Sequence, residues 1–511
     1  MCGIAGFIDS SKVLNESDIT KMTRSIEHRG PDSSGQFFSL NEDYSIGLGH
    51  TRLSIIDTST SGNQPMSYEE ITIVFNGEIY NYREIKNELR SLGHIFQTES
   101  DTEVIIRSFI QWGSECVKHF HGMWAFALYD AKQKKLHLCR DRIGVKPLHY
   151  KIESNQITFC SEIKGIIRLL DSNPKIDKQA LSTFFNFGYI SQKECIYDGI
   201  YKVQSGEWLT IDASLGLTSE NYWKAEKQFD SDYADNLNVM SHRSQLQHAK
   251  DVLIKAFNYR MVADVPVGLF LSGGVDSSLV CAILNKECGY NLNTFTVGFK
   301  EKKYDESAYA TRVSNIFNTN HTEERLTLKR AKDILYDIPK YWDEPFGDAS
   351  AIPTFLVSNL AAKNVKVSLS ADGADELFLG YPRYSKALEK RINKITRISS
   401  VNQISKFLPF NSKVNRELLK TLRFHGSSNI IDTYDSLVSE YGNWDLSKSN
   451  LGILNTRNNP DYNNLSPEIV LSIHEIKNYL EGNILCKVDR ASMSNSLESR
   501  EPFLDQDVVR L

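Results

Sequence analysis

Short apolar runs bounded by turn residues recur through the first 210 residues. Four of these runs predict β-strands: 71–75, 124–128, 136–139 and 207–211. Between them, residues 79–92 and 102–112 place apolar side chains three and four positions apart, which predicts amphipathic helices. The alternation of these elements predicts a mixed α+β domain.

The pattern changes after residue 244 to a repeated order of strand, glycine turn and helix. An apolar run at 268–271 is followed by the turn SGGVDSS and by the helical segment LVCAILNK. Further apolar runs at 293–297 and 365–369 lie at the spacing of crossovers in a parallel sheet. The second half of the chain is therefore predicted to be an α/β domain.

Two segments without this regularity complete the division of the chain. Residues 212–246 are polar and irregular, which is typical of a connection between domains. Residues 386–480 look mainly helical and hydrophilic and carry no recognisable motif. We therefore predict a first domain at 2–211, a connecting segment at 212–246 and a second domain at 247–511.

Composition excludes several classes of protein. A chain of 511 residues is expected to hold about two to four domains. Its 59 basic and 64 acidic residues leave a net charge of −5, so no overall basic surface calls for nucleic acid or anionic lipid. The longest uncharged stretch, 349–362, is interrupted by Pro353 and is too short to cross a bilayer. No membrane segment is expected.

The cysteines and the N-terminus favour a cytoplasmic protein. Eight cysteines are scattered along the chain without a CxxC pair, so neither a disulfide framework nor a zinc site is predicted. The first ten residues, MCGIAGFIDS, lack the basic region of a secretory signal. A reducing compartment suits both observations.

Cys2 is the first candidate for catalysis. Removal of the initiator methionine would leave Cys2 with a free α-amino group, whose pKa of about 7.7 to 8.0 suits a base at neutral pH. The amine could take the proton of the thiol and return it to a leaving amine. Taken alone, a cysteine at this position is more often incidental.

Five short motifs change that interpretation because they occur together and in order. They are MCGIAGF, HRGPDSSG (28–35), TRLSIID (51–57), FNGEIYN (75–81) and SDTEV (100–104). Each alone could be a surface segment, a hairpin turn or a helix cap. Together they resemble the glutamine amidotransferases of the N-terminal-nucleophile hydrolase class.

This resemblance implies roles for five residues besides the Cys2 nucleophile. Asn76 and Gly77 would form the hole for the tetrahedral oxyanion. Arg52 would grip the α-carboxylate of glutamine, while Asp101 and Glu78 would hold its ammonium group. The products would be glutamate and ammonia.

The loop LFLSGGVDSS (269–278) is a phosphate cradle. Its glycines let successive backbone N–H groups point at one anion, and the following helix adds the positive end of its dipole. Neither a Walker A loop nor a GxGxxG motif is found, which disfavours kinases and Rossmann dehydrogenases. The motif resembles the pyrophosphate loop of enzymes that cleave ATP to AMP and pyrophosphate.

The segment SLSADGADELFLGY (368–381) matches the second nucleotide and metal segment of asparagine synthetases. By this resemblance Asp375 would share Mg²⁺ with Asp276, since a carboxylate beside a polyphosphate needs a cation between them. The resemblance assigns ten residues to ATP: Leu271, Ser272, Gly273, Gly274, Asp276, Ser277, Ser278, Val297, Ser370 and Ala371.

The chain departs from the family pattern at several positions. Asp372 stands where some members carry Glu at a position that handles the intermediate, so its catalytic role stays open. Within the segment 484–505, Lys487 and Arg490 are both candidates for the cation at the leaving pyrophosphate, and the family's lysine aligns better with Arg490. Three further departures from commoner Gly, Gly and apolar residues are Ala371, Leu379 and Glu501.

The resemblance covers nearly the whole chain and implies a glutamine-hydrolysing asparagine synthetase of the type B family. An αββα sandwich of the N-terminal-nucleophile class would release ammonia, and an α/β ATP-pyrophosphatase domain would activate aspartate as its acyl-adenylate. ATP and Mg²⁺ are the expected cofactors, with no nucleic acid or membrane partner and a possible homodimer. Family members continue beyond the point where this chain stops, so a truncated C-terminus is expected.

Three alternatives stay open from the sequence. The same chemistry could amidate another carboxylate, such as a uronic-acid sugar of a surface polysaccharide. Phosphoribosyl and hexosamine-phosphate amidotransferases share the first domain, although SGGVDSS would then have no purpose. A catalytically inactive regulatory or storage homologue would need broken motifs, and the motif residues are present.

Overall fold

The computed structural model describes residues 2–299, 305–392, 429–439 and 465–511, together with residues 421, 424, 427 and 462. Two antiparallel sheets form the N-terminal half of this part of the chain, and one parallel sheet forms the C-terminal half. The helices predicted within 393–420 and 440–461 lie outside the described residues.

Twelve strands in the described part of the N-terminal half build two six-stranded sheets. In chain order they are β1 Gly3–Asp9, β2 Ser33–Leu40, β3 Ser45–Arg52, β4 Met66–Tyr68, β5 Ile71–Ile79, β6 Gly122–Asp130, β7 Lys135–Arg140, β8 His149–Ile152, β9 Gln156–Cys160, β10 Ile200–Lys202, β11 Glu207–Asp212 and β12 Leu217–Asn221. One sheet has the order β10-β8-β9-β1-β3-β2, and the other has the order β12-β11-β7-β6-β5-β4.

The helices of this half lie on the outer faces of the two sheets. They are Glu16–Ser25, Tyr82–Ser91, Asp101–Trp112, Ile163–Ile167 and Lys178–Phe187. The alternation along β1 explains the layers, because Ile4 and Ile8 face the second sheet while Ala5 and Phe7 face the outer helices. The predicted αββα sandwich is confirmed.

Strand β12 lies inside the segment 212–246, which the sequence predicts to be a connection between domains. It pairs with β11 from Glu207 opposite Asn221 to Ile211 opposite Leu217, at the edge of the second sheet. Its side chains are mostly exposed, so no apolar alternation reveals it. Ser231–Asn238, a helix, also falls within the predicted connection, and the helix His242–Tyr259 begins there.

Five parallel strands form the sheet of the second half in the order β15-β14-β13-β16-β17. Their bounds are β13 Val267–Phe270, β14 Asn293–Phe299, β15 Asn320–Leu326, β16 Val367–Leu369 and β17 Glu498–Arg500. The chain runs outward from β13 in one direction and then crosses to β16 on its other side. The crevice at the carboxyl ends of β13 and β16 is therefore a topological switch point, where open α/β sheets bind their ligands.

Helices cover this sheet, and the predicted α/β domain is confirmed. Besides those named above they are Val275–Ala282, Ser307–Phe317, Leu328–Tyr341, Ala351–Ala362, Ala374–Phe378, Pro382–Ile392, Ile430–Val438, Pro467–Glu475, Cys486–Met493 and Gln506–Arg510. A π-helical segment, Ile476–Leu485, leads into Cys486–Met493, which is called the bridge helix below. Among the described residues, no helix combines the length and apolarity that a bilayer span requires.

Candidate functional site

Cys2 lies buried immediately before β1, at the end of the sandwich where β5 carries the predicted oxyanion residues. Its backbone N–H donates to Asn76 Oδ1 at 3.0 Å. Its Sγ lies 4.0 Å from the carbonyl oxygen of Leu53. Burial raises the pKa of the thiol, so Cys2 holds its proton until a base removes it.

Asn76 lies beside Cys2 with a donor available, and Gly77 follows it on β5. Asn76 is fully buried, and its Nδ2 has no hydrogen-bond partner among the described residues. A Cβ at Gly77 would lie 2.1 Å from the carbonyl oxygen of Met123, so only glycine fits against β6. A buried, unpaired amide next to a nucleophile is the arrangement that an oxyanion hole requires.

Arg52, at the end of β3, presents a charge that is held only by neutral oxygens in the described part of the chain. Its Nη1 donates to the carbonyl oxygen of Ser59 at 2.7 Å and to Asn63 Oδ1 at 2.8 Å. Its Nη2 donates to the carbonyl oxygen of Asp57. These bonds orient the guanidinium and leave its positive charge for a carboxylate ligand.

Asp101 and Glu78 form an acidic group at the same end of the sandwich. Asp101 Oδ2 accepts the backbone N–H of Ile79 at 3.0 Å, which fixes the carboxylate beside β5. Burial raises the pKa of Asp101 to about 7. Burial, followed by the charges of Glu498 and Asp101, raises the pKa of Glu78 well above its usual range. The positive charge of a bound ammonium group would lower the pKa of both carboxyls and stabilise their ionised forms.

The second half of the chain adds two charged residues beside this acidic group that the sequence motifs do not reveal. Glu498 and Arg500 lie on β17 and are fully buried, with Arg500 Nε donating to Glu498 Oε1 at 2.6 Å. Arg500 Nη2 also lies 3.7 Å from Glu78 Oε1. The charged residues of this short strand are the available signal, but the resemblance of the segment 484–505 points to the pyrophosphate site instead.

The phosphate loop joins β13 to the helix Val275–Ala282 as predicted. Gly273 has φ +81°, and a Cβ there would lie 2.5 Å from the backbone of the helix Ser307–Phe317. The Ser272 hydroxyl accepts the N–H of Gly274 at 3.2 Å and lies 3.0 Å from the Ser277 hydroxyl. The serine side chains thus form hydrogen bonds within the loop itself. The N–H groups at the helix N-terminus are left to bind an anion.

Asp276 and Asp375 approach each other from two elements. Asp276 lies in the first turn after the phosphate loop, and Asp375 lies in the helix Ala374–Phe378 after β16. Burial raises the pKa of Asp276. Burial, followed by the charge of Asp276, raises the pKa of Asp375. Two carboxylates that repel each other at a phosphate cradle are the donor set that suits Mg²⁺.

A cleft of about 340 Å³ opens at the carboxyl ends of β13, β14 and β16. Six of the ten residues predicted to bind ATP line it: Leu271, Ser272, Ser277, Val297, Ser370 and Ala371. The other four, Gly273, Gly274, Asp276 and Ser278, lie on the phosphate loop and the start of its helix. The predicted residues are thus gathered at one cleft, which Asp372 and Asp375 also line.

The side chains of Lys487 and Arg490 lie at different places in the structure. Lys487 Nζ lies 3.8 Å from Asp372 Oδ1 and 3.9 Å from Asp348 Oδ2, at the cleft. Arg490 points instead to Glu162 Oε1 at 2.8 Å and Asp343 Oδ2 at 3.3 Å. The sequence leaves the choice between these two cations open; in the structure Lys487 lies beside the cleft, while the Arg490 guanidinium is paired with two buried carboxylates.

Two family models match the two halves of the chain. Residues 1–223 match the family model described as a glutamine amidotransferase domain, and residues 248–511 match the model described as asparagine synthase. The putative glutamine-hydrolyzing asparagine synthetase 2 of Methanocaldococcus jannaschii is 36% identical, with 96% of this chain and 98% of that protein covered.

Two further relatives extend the comparison. The glutamine-hydrolyzing asparagine synthetase 1 of Bacillus subtilis is 33% identical, with 99% of this chain and 80% of that protein covered. Amidase chry2 of Gibberella zeae is 31% identical, with 75% of this chain and 60% of that protein covered. Relatives of this chain thus carry more than one kind of name.

Proposed function

The chain belongs to the glutamine-hydrolysing asparagine synthetase family, and from that premise we propose that it transfers the amide nitrogen of glutamine to aspartate. The nitrogen would be released as ammonia at Cys2 and used at the cleft beside β13. Aspartate would be activated there as β-aspartyl-AMP, with release of pyrophosphate, and ammonia would then displace AMP.

Glutamine hydrolysis begins with attack of the Cys2 thiolate on the side-chain amide carbon. The free α-amino group of Cys2 takes the thiol proton and returns it to the leaving ammonia. Asn76 Nδ2, which is buried without a partner among the described residues, and the Gly77 N–H stabilise the oxyanion. Water then hydrolyses the thioester and releases glutamate.

Glutamine is oriented by the charges at the two ends of its amino-acid group. Arg52 pairs with the α-carboxylate, and Asp101 and Glu78 hold the ammonium group. Because burial raises the pKa of Asp101 to about 7 before glutamine binds, the ammonium group should stabilise the ionised form. The binding energy thus depends on the full zwitterion, which distinguishes glutamine from simple amides.

The cleft residues bind and activate the second set of substrates. The phosphate loop cradles the ATP phosphates with backbone N–H groups, and Asp276 and Asp375 would hold Mg²⁺. When bound, the cation neutralises charge on the polyphosphate. Lys487, on the bridge helix at the cleft, stabilises negative charge on the leaving pyrophosphate.

The observation that carries this proposal is the presence of two different sites in the two halves of one chain. Cys2 beside the Asn76 Nδ2 donor, which has no partner among the described residues, would release ammonia, and the acidic phosphate cleft would form an acyl-adenylate. At neutral pH free ammonia is mostly protonated to ammonium, which is not a nucleophile. Joining the two sites in one polypeptide therefore links the release of ammonia to its use.

Several observations favour a second candidate for the carboxylate that receives the nitrogen. The cleft carries Asp372 where some family members have Glu, and the Asp372 side chain accepts a hydrogen bond from Ser370 rather than standing free. One relative is named an amidase rather than an asparagine synthetase. A carboxylate other than aspartate, such as a uronic-acid sugar, is thus the alternative substrate.

The test is acceptor dependence of AMP formation. The protein is given glutamine, MgATP and either aspartate or one of a panel of carboxylated sugars, and AMP, pyrophosphate and the amide product are measured. Aspartate alone should raise AMP formation with one asparagine per AMP. AMP formation that responds only to a sugar acid would replace aspartate as the acceptor, and ADP as the nucleotide product would reject the adenylate mechanism.

A further inference from the structure

Arg29 occupies an unusual position between the nucleophile and the second domain. It lies in the motif HRGPD, at the end of the short helical turn Glu27–Arg29, and is fully buried. Its Nε donates to the backbone carbonyl oxygen of Cys2 at 3.1 Å. It is therefore a side chain that holds the nucleophile residue by its backbone.

The other edge of the Arg29 guanidinium is held by Asp489 of the bridge helix. Nη1 donates to Asp489 Oδ2 at 2.9 Å and Nη2 donates to Asp489 Oδ1 at 2.8 Å. Asp489 is also buried, and the Arg29 charge lowers the pKa of its carboxyl although burial opposes this. A bidentate pair of this kind fixes the plane of the guanidinium.

Glu162 accepts the only other hydrogen bond that the Arg29 side chain makes to a side chain among the described residues, from Nη1 at 2.8 Å. Glu162 is shared with His28 and Arg490, so it does not define the orientation of Arg29 by itself. Without Asp489, the guanidinium would be free to turn toward Glu162 and release the Cys2 carbonyl. The orientation that serves Cys2 therefore depends on Asp489.

Cys2 needs such support because it lies at the start of the chain, before the first strand. Its N–H is held by Asn76 and its carbonyl oxygen by Arg29, so both sides of the residue are fixed. The thiol must stay aligned with the Asn76 amide for the oxyanion to form in the hole. A shift of about 1 Å at such a site can reduce the rate about 100-fold.

We propose that Asp489 is a positioning residue for glutamine hydrolysis, which acts across the domain interface through Arg29 on Cys2. This inference rests on the proposed function of Cys2. It means that the synthetase half of the chain completes the glutaminase site. Lys487, two residues earlier on the same helix, stands at the cleft, so one helix supports both sites.

The test compares Asp489→Asn with a matched control. Glu481→Gln also removes a buried ion pair between the domains, since Glu481 Oε1 lies 2.6 Å from Arg140 Nη1, but that pair does not contact Cys2. For each protein we would measure kcat and KM for glutamate formation from glutamine, ammonium-dependent synthesis and the thermal midpoint. The wild-type glutaminase rate reports on the proposed function independently.

Asp489→Asn should lower kcat for glutamine hydrolysis about 10-fold to 100-fold with KM changed less than about threefold, because Arg52 and Asp101 still bind glutamine. Ammonium-dependent synthesis should stay within about threefold of the wild type, and Glu481→Gln should not show this split. Arg29→Lys, which keeps the charge but not the bidentate geometry, should show the same split if the Asn variant is unstable.

Two results would overturn the inference. One is a kcat for glutamine hydrolysis in Asp489→Asn that equals the wild-type value. The other is an equal loss of both activities in Asp489→Asn and Glu481→Gln, which would make the pair a general clamp between domains. A wild-type protein that makes no glutamate from glutamine would instead reject the proposed function itself.

Discussion

Backbone geometry at single residues explains why some motif positions tolerate only certain side chains. Gly77 lies so close to β6 that a Cβ would meet the carbonyl oxygen of Met123 at 2.1 Å. Leu379 has φ +56°, a left-handed conformation that costs roughly 1 to 2 kcal/mol for a residue with a Cβ. The structure therefore explains why glycine is the commoner residue at position 379.

The Asn76 amide gives a prediction at this scale. Asn76→Ala removes the buried Nδ2 donor that faces the oxyanion, so kcat for glutamine hydrolysis should fall about 100-fold to 1,000-fold. Ammonium-dependent synthesis should be retained, because the cleft is untouched. Steady-state assays with each nitrogen source would measure this, and equal loss with both sources would argue against the assignment.

The structure brings the predicted residues together where their signal in the sequence is local. Cys2, Asn76 and Gly77 belong to short motifs whose spacing is legible, and the structure brings them together. Glu498 and Arg500 were missed because their approach to Glu78 depends on packing between residues about 420 positions apart, as in the 3.7 Å contact of Arg500 with Glu78. No local pattern encodes such a contact.

The bridge helix shows what an element contributes beyond its residues. Lys487 and Arg490 are three positions apart, so they project from the same side of the helix about 4.5 Å apart along its axis. That displacement is enough to place Lys487 beside Asp372 and Arg490 beside Glu162. Sequence alone could not choose between them, because both are cations on one face.

Because Lys487 and Arg490 lie at different places, variants of the two residues should give different results. Lys487→Ala should lower AMP and pyrophosphate formation at least about 100-fold with either nitrogen source, while glutamine hydrolysis continues. Arg490→Lys should mainly lower the thermal midpoint, because it weakens a buried network rather than the cleft. Pyrophosphate release and thermal unfolding would be measured on both proteins. Normal pyrophosphate release by Lys487→Ala would contradict the assignment.

The strands were predicted better than the segment between the domains. Runs of buried β-branched and aromatic residues mark β5, β6 and β14, and the structure confirms strands there. β12 was missed because an exposed edge strand has no apolar face to reveal it. The hydrophobic pattern therefore predicts strands that are buried on one or both faces. It misses strands with exposed polar side chains at the edge of a sheet.

At the scale of the whole molecule, two domains are joined by buried ion pairs rather than by apolar packing alone. Arg29 pairs with Asp489 and Arg140 pairs with Glu481, all of them buried. Such pairs are costly to desolvate but strongly directional, so they favour one docking geometry. The sequence predicted the two domains, and it could not predict this interface, because the paired residues lie up to 460 positions apart.

In the proposed reaction, one molecule moves nitrogen from glutamine to a carboxylate activated by ATP. The most direct measurement supplies amide-¹⁵N glutamine, MgATP and aspartate with excess unlabelled ammonium, at a pH where both nitrogen sources compete. We predict ¹⁵N in the side-chain amide of asparagine, one AMP per asparagine, and loss of the label but not of the product in Cys2→Ala. Asparagine from the wild type that carries no ¹⁵N at all, or ADP in place of AMP, would contradict the proposed function.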